Sequence, residues 1–411
     1  MSPTAIFTIA SSNFSAQVMA LFQSVKQYHP ELDCYFILAD KTIPAIIKNQ
    51  TMFSVVRAED LEIPEFTQFA FKYSVVEFNT AIKPFAFGYL FNKEYPNVMF
   101  LDPDIFVFNR LDFILDLFNQ YSVLLTPHIA NADFASHTFV NHEFSFLRFG
   151  IFNLGFLAIR ADENGLKLIN WMKIRCHQNC YILKNESTYV DQKWGNFIPA
   201  LFDNVYVIKH LGCNVAYWNL HERQIENFKV NKKSDLLFFH FSSFDFTDNQ
   251  KITKNPVFEF NLNSMPGLKS VFDTYRNAIE PYVAQLKPVP DYEYGFFSDG
   301  TKISEYQRIL YQYVAKAYPN PFLSGSKSYQ TLSGRYNNIL KFSTLISDYN
   351  AQTWLGTKKD VGYVKLAEYF FKQLHNLLGS YRFLALVNQA KNYFIYLSSN
   401  AFLLNNRKKK S

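Results

Sequence analysis

Apolar positions in the first part of the chain come as short bounded runs. Thr4–Ala10, Cys34–Leu38 and Phe53–Val56 are rich in β-formers, and such runs read as strands buried on both faces. Between them, Val18, Leu21, Phe22 and Val25 keep a helical period, preceded by Ser11, Ser12 and Asn13, which favour N-caps and an anion at a helix start. Ile43–Ile47 reads as a helical turn. Phe66–Phe78 and Thr80–Phe91 read as two helices, joined near Asn79 and Pro84. Alternating strands and helices predict a parallel α/β sheet.

The next unit is Met99–Phe108. An apolar run ends at Leu101, Asp102-Pro103-Asp104 follows, and Ile105–Phe108 is apolar again. A buried strand has no use for two carboxylates, since each desolvated charge needs a partner. Pro103 removes a ladder donor, so the chain is expected to leave the sheet here. In an extended segment, residues two apart point the same way. Asp102 and Asp104 would then converge at the carboxyl end of a strand, where open α/β sheets bind ligands. A solvated Asp-Pro-Asp turn is the other reading.

Leu111–Phe118 reads as a helix and Ser122–Thr126 as a strand. Residues 127–150 lack a clear period and carry His128, His137 and His142, at spacings that fit no metal cage. Ile151–Ile159 resumes strand character around Asn153 and Gly155, and Leu166–Cys176 is an amphipathic helix. Thr188–Phe202 reads as a helix with Asp191-Gln192 near its start. Val205–Ile208 and Leu236–Phe241 are the last expected strands, with His240 at the end of the final one. Beyond about residue 256 the pattern turns helical, at Leu268–Leu286, Ile303–Ala317, Tyr363–Leu377 and Tyr381–Leu404, with Pro288, Pro290, Pro319 and Pro321 at breaks. The expected organisation is an α/β domain over 1–255 and a helical region over 256–411, with no internal repeat.

Composition narrows the classes. A 411-residue chain that is 48% hydrophobic and 18% charged is globular. The net charge of +6 owes four charges to Arg407, Lys408, Lys409 and Lys410. The rest is nearly neutral, which excludes a nucleic-acid footprint. Four cysteines make no disulfide framework, and Cys176-His177-x-x-Cys180 is half a zinc site without a second half. No charge-free apolar run is long enough to span a membrane, and the start of the chain carries no basic leader. A cytoplasmic location is the expectation. The basic tail reads as a solvated terminus, or as a peripheral contact with the inner face of the plasma membrane.

Asp102/Asp104, Asn153/Gly155, Asp191/Gln192 and His240 all fall at strand ends or loops that would share one sheet edge. Two carboxylates with an imidazole form an O,O,N set suited to Mn²⁺ or Mg²⁺, with positions left open for a diphosphate.

At these residues the sequence resembles a known family. The strand-DPD-strand unit, NTAIKPF at Asn79–Phe85, FNLGFLAIR at Phe152–Arg160, DQKW at Asp191–Trp194 and HFSSF at His240–Phe244 are similar, in order and separation, to bacterial GT-A glycosyltransferases of the family-8-like group. The resemblance covers about 4–250, and Tyr292–Ser304 resembles the C-terminal part of related enzymes. It implies a GT-A-like (nucleotide-diphospho-sugar transferase) mixed sheet flanked by helices, with a mostly helical C-terminal extension. It also implies transfer of a hexosyl group from a nucleotide-sugar, a UDP-sugar, to a hydroxyl of a glycan or lipid-linked acceptor, with retention, in surface polysaccharide or lipopolysaccharide synthesis. Asp102, Asp104 and His240 would hold the metal. Thr8, Ala10 and Asn13 would meet the nucleoside and Lys83 the donor sugar or diphosphate, while Asn153 and Gly155 would line the sugar or acceptor pocket. Asp191 and Gln192 would lie by the anomeric carbon in the catalytic role. The alternative readings are Lys83 as a surface lysine, Asp191 as a helix cap and Gly155 as a packing glycine.

The chain departs from that pattern in one place. The glycine expected three residues after the metal histidine is Ser243, and no phosphate-clamping lysine follows closely. The other functional readings are a non-catalytic nucleotide-sugar or glycan-binding relative and a sugar-phosphate nucleotidyltransferase. Against the latter, residues 4–14 hold no glycine for a nucleotide loop.

Overall fold

The computed structural model describes residues 3–132, 140–182, 188–246, 248, 250–254, 262–312 and 314–334. It divides into two compact units, Met1–Phe296 and Phe297–Ser411.

Among the described residues, the first unit holds twelve strands and eleven α-helices. Its strands are β1 (Thr4–Ala10), β2 (Asp33–Leu38), β3 (Ser54–Arg57), β4 (Asn97–Leu101), β5 (Ile105–Val107), β6 (Val123–Pro127), β7 (Phe152–Arg160), β8 (Val205–Val207), β9 (Ile225–Glu226), β10 (Lys229–Val230), β11 (Ser234–Asp235) and β12 (Phe238–His240). Its helices are α1 (Ser15–Tyr28), α2 (Ala45–Lys48), α3 (Phe66–Lys72), α4 (Val75–Ala81), α5 (Lys83–Asn92), α6 (Asp112–Leu117), α7 (Val140–Phe149), α8 (Glu163–Gln178), α9 (Gln192–Gly195), α10 (Ile198–Leu201) and α11 (Pro266–Gln285).

Seven strands form the main sheet in the order β3-β2-β1-β4-β7-β6-β8. The β1 run is buried along its whole length and pairs in parallel with β2 and β4, as its β-formers and the alternation of strands and helices predict. Strand β7 lies antiparallel between β4 and β6, so the sheet is mixed and flanked by helices.

Leu101 ends β4, and the chain turns out of the sheet with Ile105 N–H donating to Asp102 O at 3.0 Å. Strand β5 then pairs antiparallel with β12, in a register that sets His240 opposite Ile105. Two more backbone bonds fix the corner: Asp102 N–H to Gly155 O and Phe241 N–H to Asp104 O, each 2.8 Å. Three distant segments meet at the Asp-Pro-Asp turn.

The predicted α1 stripe of Val18, Leu21, Phe22 and Val25 packs on Ile6, Phe36 and Met99. Its other side, Ala16 and Ala20, belongs to a second cluster with Phe106, Phe239 and Tyr275 of α11. The Phe241 and Tyr275 rings stack at 3.9 Å. With α11 packed against α1, the first unit runs on to Phe296, past the change of pattern near residue 256.

Some elements differ from the periodicity reading. The stretch 127–150 contains α7, whose Leu147 is 67% exposed. Thr188–Phe202 holds two short helices, α9 and α10, because Pro199 opens a new one. Phe66–Phe91 is three helices, not two.

In the second unit, α12 (Glu305–Tyr311) starts with a Ser304/Gln307 capping box, and a 3₁₀ turn spans Ala315–Ala317. His137, Tyr363–Leu377, Tyr381–Leu404 and Arg407–Lys410 lie outside the described residues. Among those described, no helix is long and apolar enough to cross a membrane. Cys34, Cys176, Cys180 and Cys213 are buried and form no disulfide.

Candidate active site

The carboxylates of Asp102 and Asp104 share a corner with the imidazole of His240. Nε2 of His240 lies 3.0 Å from Asp104 Oδ1 and 3.6 Å from Asp102 Oδ2. One ligand atom from each residue falls within 4.8 Å of the others. Burial pushes the Asp102 carboxyl up to about 6, against the opposing pull of His240 and Lys83. Burial also disfavours charge on His240, but Asp104 and Asp102 outweigh it and raise the imidazole above its ordinary value.

The corner is shaped around a space. A Cβ on Gly155 would lie 2.5 Å from Asp102 Oδ2, 2.6 Å from His240 Cε1 and 2.8 Å from Asn153 Oδ1. Any side chain there would enter the ligand group. His240 Nδ1 is buried and has no hydrogen-bond partner. Two hard oxygens and one imidazole nitrogen fit a divalent cation that prefers oxygen, with room for further ligands.

A polar framework stands beside the corner. Asn153 Oδ1 accepts from Gly155 N–H at 3.2 Å and from Asn214 Nδ2 at 3.0 Å. Asn153 Nδ2 donates to Gln192 Oε1 at 3.5 Å, and Gln192 Nε2 donates to Phe149 O at 3.0 Å. Gln192 thus links α7, α9 and β7. Asp191 and Lys83 are buried and bonded to each other at 2.5 Å, and Lys83 also donates to Leu154 O at 2.9 Å. Burial disfavours charge on Lys83, but Asp191 and Asp102 more than offset it and raise its pKa.

At the first strand end, Thr8 and Ala10 are buried, Asn13 is exposed, and Ser11 Oγ donates to Asn13 Oδ1 at 2.7 Å. Thr8 Oγ1 is buried without a partner. Asp40, not singled out from the sequence, accepts from Ser12 N–H at 2.6 Å and Glu293 N–H at 2.9 Å. Glu293 in turn accepts from the Lys41 and Thr42 amides at 2.8 and 2.7 Å. The Tyr292–Gly295 segment is thereby fastened beside the ends of β1 and β2. The available signal was a carboxylate closing an apolar run, as at Asp102.

The segment Cys213–Arg223 was also missed. Trp218 sets its ring 5.2 Å from His240 and 5.5 Å from His128, edge to face. Asn219 Nδ2 bridges His128 O and Asn214 O, each at 3.0 Å. Glu222 accepts from the Ala130 and Asn131 amides, both at 2.9 Å. Asn214 sits at φ 51°, a conformation asparagine tolerates. These residues hold the loop after β6 beside the corner. The interleaved polar residues of NVAYWNLHER were the signal.

Ser243 has φ 55°, in the left-handed region that favours glycine. The position thus keeps a glycine-like backbone although the residue is serine. His128 is stacked on Phe146 at 4.8 Å and bonded to Ile151 O. His177 is bonded to Pro64 O at 3.0 Å and stacked on Phe69.

No family model matches the chain. The uncharacterised protein YfnF of Bacillus subtilis (strain 168) is 23% identical over 305 residues, covering 72% of this chain and 97% of its own length. The uncharacterised protein YfnD of the same organism is 23% identical over 304 residues, with 70% and 93% covered. Among solved structures, mouse xyloside xylosyltransferase 1 in its apo form aligns at 12% identity and TM-score 0.37, covering 58% of this chain and 97% of that one. The galactosyltransferase LgtC, in complex with donor and acceptor sugar analogs, aligns at 15% identity and TM-score 0.35, with 70% and 98% covered. The glycosyltransferase GlyE of Streptococcus pneumoniae TIGR4 aligns at 13% identity and TM-score 0.35, with 72% and 67% covered.

Proposed function

We propose that the chain is a metal-dependent glycosyltransferase that moves a hexosyl group from a UDP-sugar to a hydroxyl of a glycan or lipid-linked acceptor. The observation that carries this reading is the convergence of Asp102, Asp104 and His240 at the carboxyl edge of the sheet, around the space kept by Gly155. These three residues would hold Mn²⁺ or Mg²⁺. A bound divalent ion supplies positive charge to a departing diphosphate.

The remaining residues act by positioning. Gln192 and Asn153, joined to each other and to β7, present amide groups to a sugar beside the corner. Asp191 is buried against Lys83. In that position it orients the start of α9, and therefore Gln192, while Lys83 ties that start to the Leu154 carbonyl. A departing phosphate that itself takes the acceptor proton fits a site whose third carboxylate, Asp191, is occupied in this way, and this route retains the anomeric configuration. Catalysis then rests on orientation and on stabilising leaving-group charge. Thr8, Ala10 and Asn13 would meet the nucleoside at the end of β1.

The direct test is UDP release from a panel of UDP-sugars, with and without Mn²⁺, by the native chain and Asp104→Ala. The native chain is expected to turn over one donor in a metal-dependent way and the variant is not. Equal turnover by both removes the site assignment.

A further inference from the structure

Away from the acidic corner, α5 and α8 run together with the loop before α3 across one end of them. Between these elements lies a groove of about 540 Å³, within the size range of small-molecule sites. Part of its lining is apolar, including Phe85, Pro64 and Ile174, and its charged groups are Lys173 and Glu62, with the imidazole of His177 beside them. None of its residues belongs to the candidate active site.

Lys173 is the unusual group. A lysine on a helix surface ordinarily carries its head out to water along its aliphatic stem. Here the head is folded in: a Cβ on Gly88 would collide with its Nζ and Cε, so glycine at that point of α5 is what admits the ammonium. Glycine is a poor helix residue, and its use mid-helix favours this close approach. The Nζ lies 5.9 Å from the Phe85 ring centre. Burial lowers the Lys173 pKa, and the Glu62 carboxylate opposes this only through space. Among the described residues Lys173 makes no hydrogen bond or ion pair. Glu62, in the lining, sits at φ 54°.

A partly desolvated cation that makes no direct ion pair, with Glu62 in the same lining acting on it only through space, can take a direct partner in an anion with an apolar body. We propose that this groove is a binding site for a small amphiphilic anion, a carboxylate or phosphate on a hydrocarbon or ring, taken up as a monomer. The anionic head would pair with Lys173 and the apolar body would lie along Phe85, Pro64 and Ile174.

The test uses the full chain and the fluorescent anion 1-anilinonaphthalene-8-sulfonate, displaced by monomeric decanoate, by inorganic phosphate, or offered against phosphatidylglycerol vesicles. Decanoate is expected to displace the dye from the native chain. Its affinity should drop about tenfold or more in Lys173→Met, which keeps the stem and removes the charge. Gly88→Ala, a helix-favouring change, should weaken binding too, by pushing the ammonium out. Circular dichroism of each variant shows whether it is folded. Equal decanoate affinity in the native chain and in folded Gly88→Ala overturns the proposal. So does displacement by inorganic phosphate as effective as by decanoate, or retention on vesicles without any displacement by the monomer.

Discussion

The Lys83 ammonium sits 2.5 Å from the Asp191 carboxylate, and both side chains are 3% exposed. Removing one partner of a buried pair strands the other charge, whereas replacing both with apolar groups is often tolerated. Lys83→Met is therefore expected to lower unfolding free energy by about 3–5 kcal/mol, measured by urea denaturation. Lys83→Met combined with Asp191→Leu should recover most of that loss. In the double variant kcat should stay depressed while the donor KM moves little, because Gln192 is no longer oriented. A double variant with native kcat would make the pair structural only.

Gly155 gives a second prediction, since its missing side chain is what leaves the ligand group open. Gly155→Ala places a methyl group against Asp102, His240 and Asn153. Overpacking of this kind costs about 1–3 kcal/mol, so the variant should fold with reduced stability. Its Mn²⁺ affinity, read by calorimetry, should fall about tenfold or more, the equivalent of about 1.4 kcal/mol. Unchanged affinity would mean that the ion does not enter through this corner.

Trp218 offers a spectroscopic reporter of the same corner, since its ring lies 5.2 Å from the His240 ring. Adding Mn²⁺ should quench part of the tryptophan emission of the native chain. The quench should disappear in His240→Ala and shrink sharply in Trp218→Phe, which keeps the metal-binding residues. A full quench surviving in Trp218→Phe would put the ion near another tryptophan.

The sheet and the acidic turn were legible because both obey short-range rules. Asp102 and Asp104 interrupt an apolar run at a proline, and the chain leaves the sheet there. His240 was legible as the residue closing the last strand, though only the antiparallel pairing of β12 with β5 sets it opposite Ile105. The Lys83–Asp191 bond joins residues 108 apart in sequence, and no local pattern encodes such a pairing. Asp40 closes an apolar run as Asp102 does, but its link to Glu293 joins distant segments and was not legible for the same reason.

His128 ties stability to pH through a group separate from the ligand set. Burial pushes its imidazole down to about 4, with the charge of nearby His240 acting the same way and the bond to Ile151 O opposing. In the unfolded chain the group returns to about 6.5. Below that value the unfolded state binds the proton first, so protonation favours unfolding. Stability from this residue is complete above about 6.5 and declines as pH falls toward 4. The difference amounts to about 3 kcal/mol across the window. His128→Phe cannot titrate and keeps a ring against Phe146 and Trp218. Urea unfolding between pH 7 and pH 4.5 should show a shallower loss of stability in the variant than in the native chain. Parallel pH profiles would assign the acid sensitivity to other groups.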